Sequence, residues 1–253
     1  MIDTHAHIFL SQFSEDLPEV ISRAKNEGVE LILMPNIDST TIDAMKRTEE
    51  QYPDICRSMI GLHPCYVKEG YREDLKWVEK ELETGNYVAV GEIGTDLYWD
   101  KSFWKEQQDA FIHQLNLAKK YKLPVAIHCR ESIEETIAMV DENNSDDLSG
   151  VFHCFSGTLA QAEKITRMGF YLGIGGVSTF KNGGLGEVLE NIPLEFLVLE
   201  TDSPYLAPTP YRGKRNEPFY IKEIARKIAE VKNLSLGEVV KATSENSRRL
   251  FNL

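Results

Sequence analysis

The chain predicts an α/β fold, a TIM-type (β/α)8 barrel read as one domain over residues 1–253 with an extra carboxyl-terminal helix. Three observations carry this expectation. Apolar, β-branched-rich runs recur eight times, at residues 1 to 5, 30 to 36, 55 to 61, 87 to 94, 124 to 129, 150 to 155, 170 to 176 and 196 to 202. Segments with helical periodicity separate them. Metal-ligand residue types close five of the eight runs, at the end where a parallel barrel gathers its loops.

Each run is nearly continuous in apolar character, as expected of parallel strands covered on both faces. The opening MIDTH is followed by the periodic segment DLPEVISRAKNEG, and ELILMPN by STTIDAMKRTEEQY. ICRSMIG and YVAVGEIG supply strands three and four, and SFWKEQQDAFIHQLNLAKKY the helix after the fourth. PVAIHC leads to a helix start marked by Ser132 and Glu135, and GVFHCF to GTLAQAEKITRMG, marked by Thr158 and Gln161. FYLGIGG and FLVLETD complete the set, and Ser235 with Glu238 opens the extra helix over residues 235 to 250. An open doubly wound sheet would concentrate its site at one switch point, whereas these candidates fall on strands 1, 4, 5, 6 and 8, so closure fits better.

Composition narrows the function classes. With 253 residues and 42% hydrophobic content, the chain can bury one sizeable core. No apolar run approaches the ~20 residues of a membrane span, and no basic, apolar leader opens the chain, so a soluble, cytoplasmic protein without membrane contact is expected. Cys56, Cys65, Cys129 and Cys154 lack CxxC spacing and read as reduced thiols. By strand alternation, Cys129 and Cys154 are expected to face the helix layer if His128 and His153 face inward, which argues against thiolate ligation. A formal charge of −12 disfavours tight duplex binding, so a nucleic-acid substrate would be held locally.

The candidate site is built from His5 and His7 in DTHAH, Glu92 in VGEIG, His128 in AIHCR, His153 in VFHCF and Asp202 in LETDSP. His5 and His7 lie two apart and can point to one side of a strand. Glu92 ends an apolar strand, where an unpaired carboxylate would be costly. Glu200 lies two residues before Asp202 and is expected one layer deeper, supporting the site rather than ligating. His63, Asp96, Arg130, Arg212, Lys214 and Arg215 follow strand ends and are candidate substrate contacts, the last three as a local phosphate clamp. Trp77, Trp99 and Trp104 read as core or rim packing, with Trp99 placed where it could stack on a base. His113 reads as a packing histidine. Gly173, Gly175, Gly176, Gly183 and Gly184 fit either close substrate approach or a tight corner.

The motifs MIDTHAH, GLHP, GEIGTD, IHCR, FHCFSG and LETDSPYLAPTPYRGKRNEP resemble those of the TatD family of metal-dependent deoxyribonucleases, in order from residue 1 to residue 218. That resemblance implies an amidohydrolase-type TIM barrel, a divalent metal centre and 3′ to 5′ exonuclease action on DNA. Carried across, His5, His7, Glu92 and Asp202 would hold one ion and Glu92, His128 and His153 a second, with Glu92 bridging. Thr95 departs from the family's usual Leu, and its side chain is expected to face away from Glu92. Two ions would activate water and neutralise phosphoryl charge, with Asp202 as general base beside Glu92. Four imidazoles favour Zn, Mn, Fe or Ni, with Mg possible at a wetter position.

The leading expectation is therefore a two-metal deoxyribonuclease acting on single strands or frayed ends, with DNA as substrate and no obligate protein partner. The alternative is hydrolysis of another ester or amide, such as a lactone, a cyclic amide or an aminoacyl-tRNA ester. A non-catalytic metal-binding scaffold is disfavoured because every ligand and the candidate base are present.

Overall fold

Strands and helices alternate along a computed structural model that describes residues 1–253. The order is β1 (Ile2–Asp3), α1 (Leu17–Asn26), β2 (Leu31–Pro35), α2 (Ile42–Gln51), β3 (Cys56–Met59), α3 (Tyr71–Thr84), β4 (Val90–Asp96), α4 (Trp104–Tyr121) and β5 (Val125–Arg130). It continues with α5 (Ile133–Asn143), β6 (Gly150–Phe152), α6 (Leu159–Arg167), β7 (Tyr171–Ile174), α7 (Gly186–Asn191), β8 (Leu197–Leu199), α8 (Ile221–Lys232) and α9 (Leu236–Phe251). The eight expected strands are all present, and every pairing is parallel.

Two ladders, β1 to β3 and β4 to β8, are joined into a barrel at both seams. At one seam Ile60 bridges Val90, with its amide donating to Ala89 O and its carbonyl accepting from Gly91. At the other, Ala6 bridges Ser203, and the amides of Thr4, His7 and Asp202 donate to Leu199 O, Ser203 O and His5 O. That second seam matters for function, because it holds the DTHAH and LETDSP segments side by side across about two hundred residues of sequence.

Inside the barrel, Ile2, Leu33, Met59, Ala89, Ala126, Val151 and Val198 form an apolar layer with Leu250 and Phe251 of α9. The extra helix thus packs its last turn into the barrel interior, and burying each of these two side chains stabilises by about 1.5–3 kcal/mol. Truncating Phe251 would open that end. Two residues onward from Ala126, Val151 and Val198 stand His128, His153 and Glu200. The period of two therefore puts polar groups in the next inward layer, toward the carboxyl ends of the strands. A second cluster of 55 buried residues fills the space between barrel and helices.

Local signals held with one exception. Thr158 and Ser235 form complete capping boxes with Gln161 and Glu238. Ser132 does not cap α5: its hydroxyl lies 2.8 Å from Thr95 Oγ1 and donates to Thr95 O at 3.1 Å. Thr95 also meets Thr136 Oγ1 at 2.7 Å. Its side chain faces α5, away from Glu92, and its buried hydroxyl is satisfied by two others. No helix is long and apolar enough to cross a membrane.

Candidate metal centre

The Glu92 carboxylate organises the site, and its two oxygens face different imidazoles. Oε2 lies 3.2 Å from His5 Nε2 and 3.5 Å from His7 Nε2. Oε1 lies 2.9 Å from His128 Nδ1, 3.0 Å from His153 Nε2 and 3.3 Å from His63 Nε2. Asp202 approaches from the β8 side, with Oδ1 3.9 Å from His5 Nε2 and 3.7 Å from His7 Nε2. The six residues expected as ligands converge, and His63 joins them. Within this cluster, His5 with His7 and Glu92, His5 with His153 and Asp202, and His63 with Glu92 and His128 each bring three donor atoms within 4.8 Å of one another.

The backbone explains the convergence. His5 and His7 leave β1 on a segment held to both β2 and the β8 loop, since Ala6 N–H donates to Leu33 O and His7 N–H to Ser203 O. Asp3, which sequence reasoning passed over, fixes the same seam: it accepts from His5 N–H at 3.3 Å, Thr201 N–H at 2.9 Å and Thr201 Oγ1 at 2.6 Å. Burial pushes its carboxyl up to about 8 despite the Thr201 and His5 hydrogen bonds that oppose the rise. Its spacing two residues before His5 was the available signal. Asn36 O receives Glu92 N–H at 3.1 Å, while its side-chain amide donates to Gly61 O at 3.2 Å.

Charge is distributed unevenly among these groups. Burial alone would raise Glu92, but His63, His153, His5 and His128 hold it well below the usual carboxylate range. His5 stacks on His153 at 3.7 Å, so the two rings compete for a proton. Burial and His153 drive His5 down, whereas Glu92 and Glu200 outweigh burial and drive His153 up. Hydrogen bonds to Asp96 and Glu92 likewise outweigh burial at His128 and raise it. Burial, reinforced by Glu92 and Glu200 and opposed by His153 and His7, lifts Asp202 to about 6.

The donor set fits divalent cations. Six buried side-chain nitrogen or oxygen atoms in the chain lack a hydrogen-bond partner, and four belong here: Nδ1 of His5, His7 and His153, and Oε2 of Glu200. Those atoms are not the ones turned to Glu92; what suits a cation is the convergence of Nε2 of His5, His7 and His153 and Nδ1 of His128 on one buried carboxylate. Mixed imidazole and carboxylate donors suit first-row transition metals.

The supporting residues sort by their contacts. Glu200 is fully buried behind His153: its Oε1 accepts from Cys154 N–H at 2.5 Å and lies 3.3 Å from His153 Nδ1. Gly173 makes room for it, since a Cβ there would collide with Glu200 Oε2 and lie 2.8 Å from its Cδ. Gly176 similarly faces Leu206 O, so close backbone approach, rather than substrate, explains these two glycines. Asp96 Oδ2 meets His128 Nε2 at 2.9 Å, and its Oδ1 accepts from the amides of Tyr98 and Trp99 at 2.8 and 3.1 Å. His63 Nδ1 accepts from Cys65 N–H at 3.1 Å, which assigns the neutral ring's proton to Nε2, facing Glu92.

The basic loop divides. Arg215 is bidentate to Asp16 at 2.8 and 2.7 Å, and also donates to Glu217 at 2.9 Å and Gln12 O at 2.6 Å. Its donors are engaged away from the metal cluster, so a phosphate clamp narrows to Arg212 and Lys214. Those two lie against aromatic rings, with Arg212 3.7 Å over Phe180 and Lys214 5.8 Å from the Tyr211 centroid. Arg130 is exposed, 3.7 Å over Tyr98.

Cys154 follows the end of β6 at Phe152, adopts φ 46°, and lines with Cys129 a cavity beside the starts of α5 and α6, while burial first pushes its thiol well above the ordinary value. Trp99 is 69% exposed and lies on the rim against Tyr98, outside the core, whereas Trp77 and Trp104 pack against the core.

A closed parallel barrel carrying a carboxylate shared between two sets of imidazoles at its carboxyl end defines a metal-dependent hydrolase. The model of the TatD related DNase family matches residues 2–252. The metal-dependent hydrolase YabD of Bacillus subtilis is 41% identical, covering 100% of this chain and 99% of that one. A 3'-5' ssDNA/RNA exonuclease TatD from Erwinia tasmaniensis is 34% identical with 100% of both chains covered. The crystal structure of YjjV, a TatD homologue from Escherichia coli, superposes with a TM-score of 0.94 at 31% identity over 100% of this chain and 98% of that one. This chain belongs to the TatD family of metal-dependent hydrolases.

Proposed function

We propose that residues 1–253 form one catalytic unit, a two-metal phosphodiesterase that trims DNA from 3′ ends of single or frayed strands. The division of Glu92 between two imidazole sets carries this reading, because it suits a carboxylate shared by paired cations. His5, His7, Glu92 and Asp202 would hold one ion and Glu92, His128 and His153 the other. When bound, such ions supply Lewis-acid activation of water and neutralise charge on the phosphoryl group. Asp202, whose carboxylate stands beside His5 and His7, would accept the proton of the attacking water. His63, whose tautomer is assigned by Cys65, turns its Nε2–H to Glu92 Oε1 and so helps orient the shared carboxylate. Glu200 and Asp96 orient His153 and His128 and thereby keep their other ring nitrogens aimed at the centre. Arg130, Arg212 and Lys214 offer local cations to the strand in a chain whose charge of −12 repels a long duplex. The Erwinia relative, a 3'-5' ssDNA/RNA exonuclease, supports the substrate class.

The test is metal-loaded protein against an end-labelled single-stranded oligonucleotide and, in parallel, a panel of lactones, cyclic amides and small esters. Shortening from the 3′ end that is abolished by Asp202→Asn is the expected result. Turnover of the panel alone, lost in the same variant, would replace the nuclease reading with that of a small-ester or amide hydrolase.

A further inference from the structure

Exposed apolar side chains are concentrated around the mouth of the metal centre. Six large ones are exposed in the whole chain, Tyr66, Tyr98, Trp99, Tyr205, Leu206 and Leu234, and all but Leu234 lie on loops that follow β3, β4 and β8. A soluble surface normally scatters such residues, and their collection at one rim marks a binding surface. On the β4 side, Trp99 and Tyr98 meet edge to face, 4.8 Å apart at 87°. The Arg130 guanidinium carbon lies 3.7 Å from the Tyr98 ring centroid and 5.5 Å from that of Trp99.

This group is fixed to the metal centre by one carboxylate. Asp96 Oδ1 accepts the amides of Tyr98 and Trp99, and its Oδ2 holds His128. Gln107 anchors Asp96 in turn, its Oε1 accepting Asp96 N–H at 2.8 Å. The rings therefore stand at a set distance from a ligand-type histidine, on a turn closed by hydrogen bonds.

We infer that Tyr98, Trp99 and Arg130 form a stacking shelf that holds a nucleobase of the substrate strand beside the metal centre. The inference rests on the phosphodiesterase reading and deepens it. Rings exposed to water on a rigid turn have no packing role to explain them, while every base has a π-face that stacks without regard to sequence. Electrostatics is compatible with this: a chain of charge −12 repels the strand over most of its surface, and stacking adds affinity that does not depend on phosphate contacts. Tyr98, Trp99 and Arg130 are thus positioning residues, setting where the strand crosses the ions.

The experiment measures binding of metal-loaded protein to a short, fluorescein-labelled, phosphorothioate-linked deoxythymidine strand by anisotropy. An otherwise identical strand with abasic spacers is titrated in parallel. Wild type should prefer the base-bearing strand, and Trp99→Ala and Tyr98→Ala should each weaken that binding about 5- to 150-fold. Neither variant should shift affinity for the abasic strand, and Trp99→Phe should retain most of the wild-type preference. Equal affinity of wild type for both strands, or parallel losses on both, would overturn the shelf. Hydrolysis of bis(p-nitrophenyl) phosphate by the wild type is followed separately. Its absence counts against the phosphodiesterase reading, while the anisotropy comparison still decides the shelf.

Discussion

Gly173→Ala is the smallest change that interrogates the site's construction. The added Cβ would collide with Glu200 Oε2 and lie 2.8 Å from Glu200 Cδ and 3.1 Å from His153 Cα. Because the backbone of His153 cannot move without distorting β6, the Glu200 carboxylate must shift. That weakens its bond to Cys154 N–H and its approach to His153 Nδ1. Overpacking of this kind costs about 1–3 kcal/mol. At roughly 2–4 °C per kcal/mol for a domain of this size, Tm should fall by roughly 2 to 12 °C. Loss of an orienting partner should also weaken metal affinity about 10- to 100-fold. Thermal melts and metal titrations on Gly173→Ala, Glu200→Ala and the double variant form a cycle. If the collision is with Glu200, the double variant should melt no lower than Glu200→Ala. Additive losses would refute the argument and place the strain elsewhere.

Three further outcomes follow from named contacts. Chelation should lower Tm, by the equivalent of about 2.7 kcal/mol if metal had been present at 100 times its Kd, and restoring metal should reverse the fall; a melt indifferent to chelator would contradict a metal-satisfied site. Thr95→Val leaves Ser132 and Thr136 without their shared hydroxyl, so Tm should drop by the equivalent of about 1–3 kcal/mol, read by calorimetry, with kcat nearly unchanged. Hydrogen bonds from Arg215, then its charge and Arg23, hold Asp16 below its ordinary value. A depressed folded-state pKa contributes stability that is fully present above the unfolded value near ~3.9 and lost as pH falls through the folded one, so the Tm gap between wild type and Asp16→Asn should narrow on acidification; a gap that widens below pH ~4 would reverse the assignment.

The barrel and the ligand types were legible in the sequence because both follow local rules. Near-continuous apolar runs mark strands buried on two faces, and a polar residue ending such a run announces a site whatever its partners. The inward positions of His128 and His153, and the capping at Thr158 and Ser235, follow from period and spacing alone. Ser132 shows where the rule stops. Its capping motif was intact, but a buried Thr95 offered its hydroxyl a better partner from the neighbouring strand.

Fold class, donor types and the strand ends that carry them can be read from the chain, since hydrophobic periodicity and ligand chemistry are properties of short segments. Which oxygen of Glu92 faces which imidazole, the tie from Asp96 and His128 to an aromatic turn, and the capture of Arg215 by Asp16 emerge from the folded molecule. Those pairings join residues tens to hundreds of positions apart, and they depend on barrel closure and on competition among neighbours for each proton and lone pair. No local pattern along the chain encodes that competition.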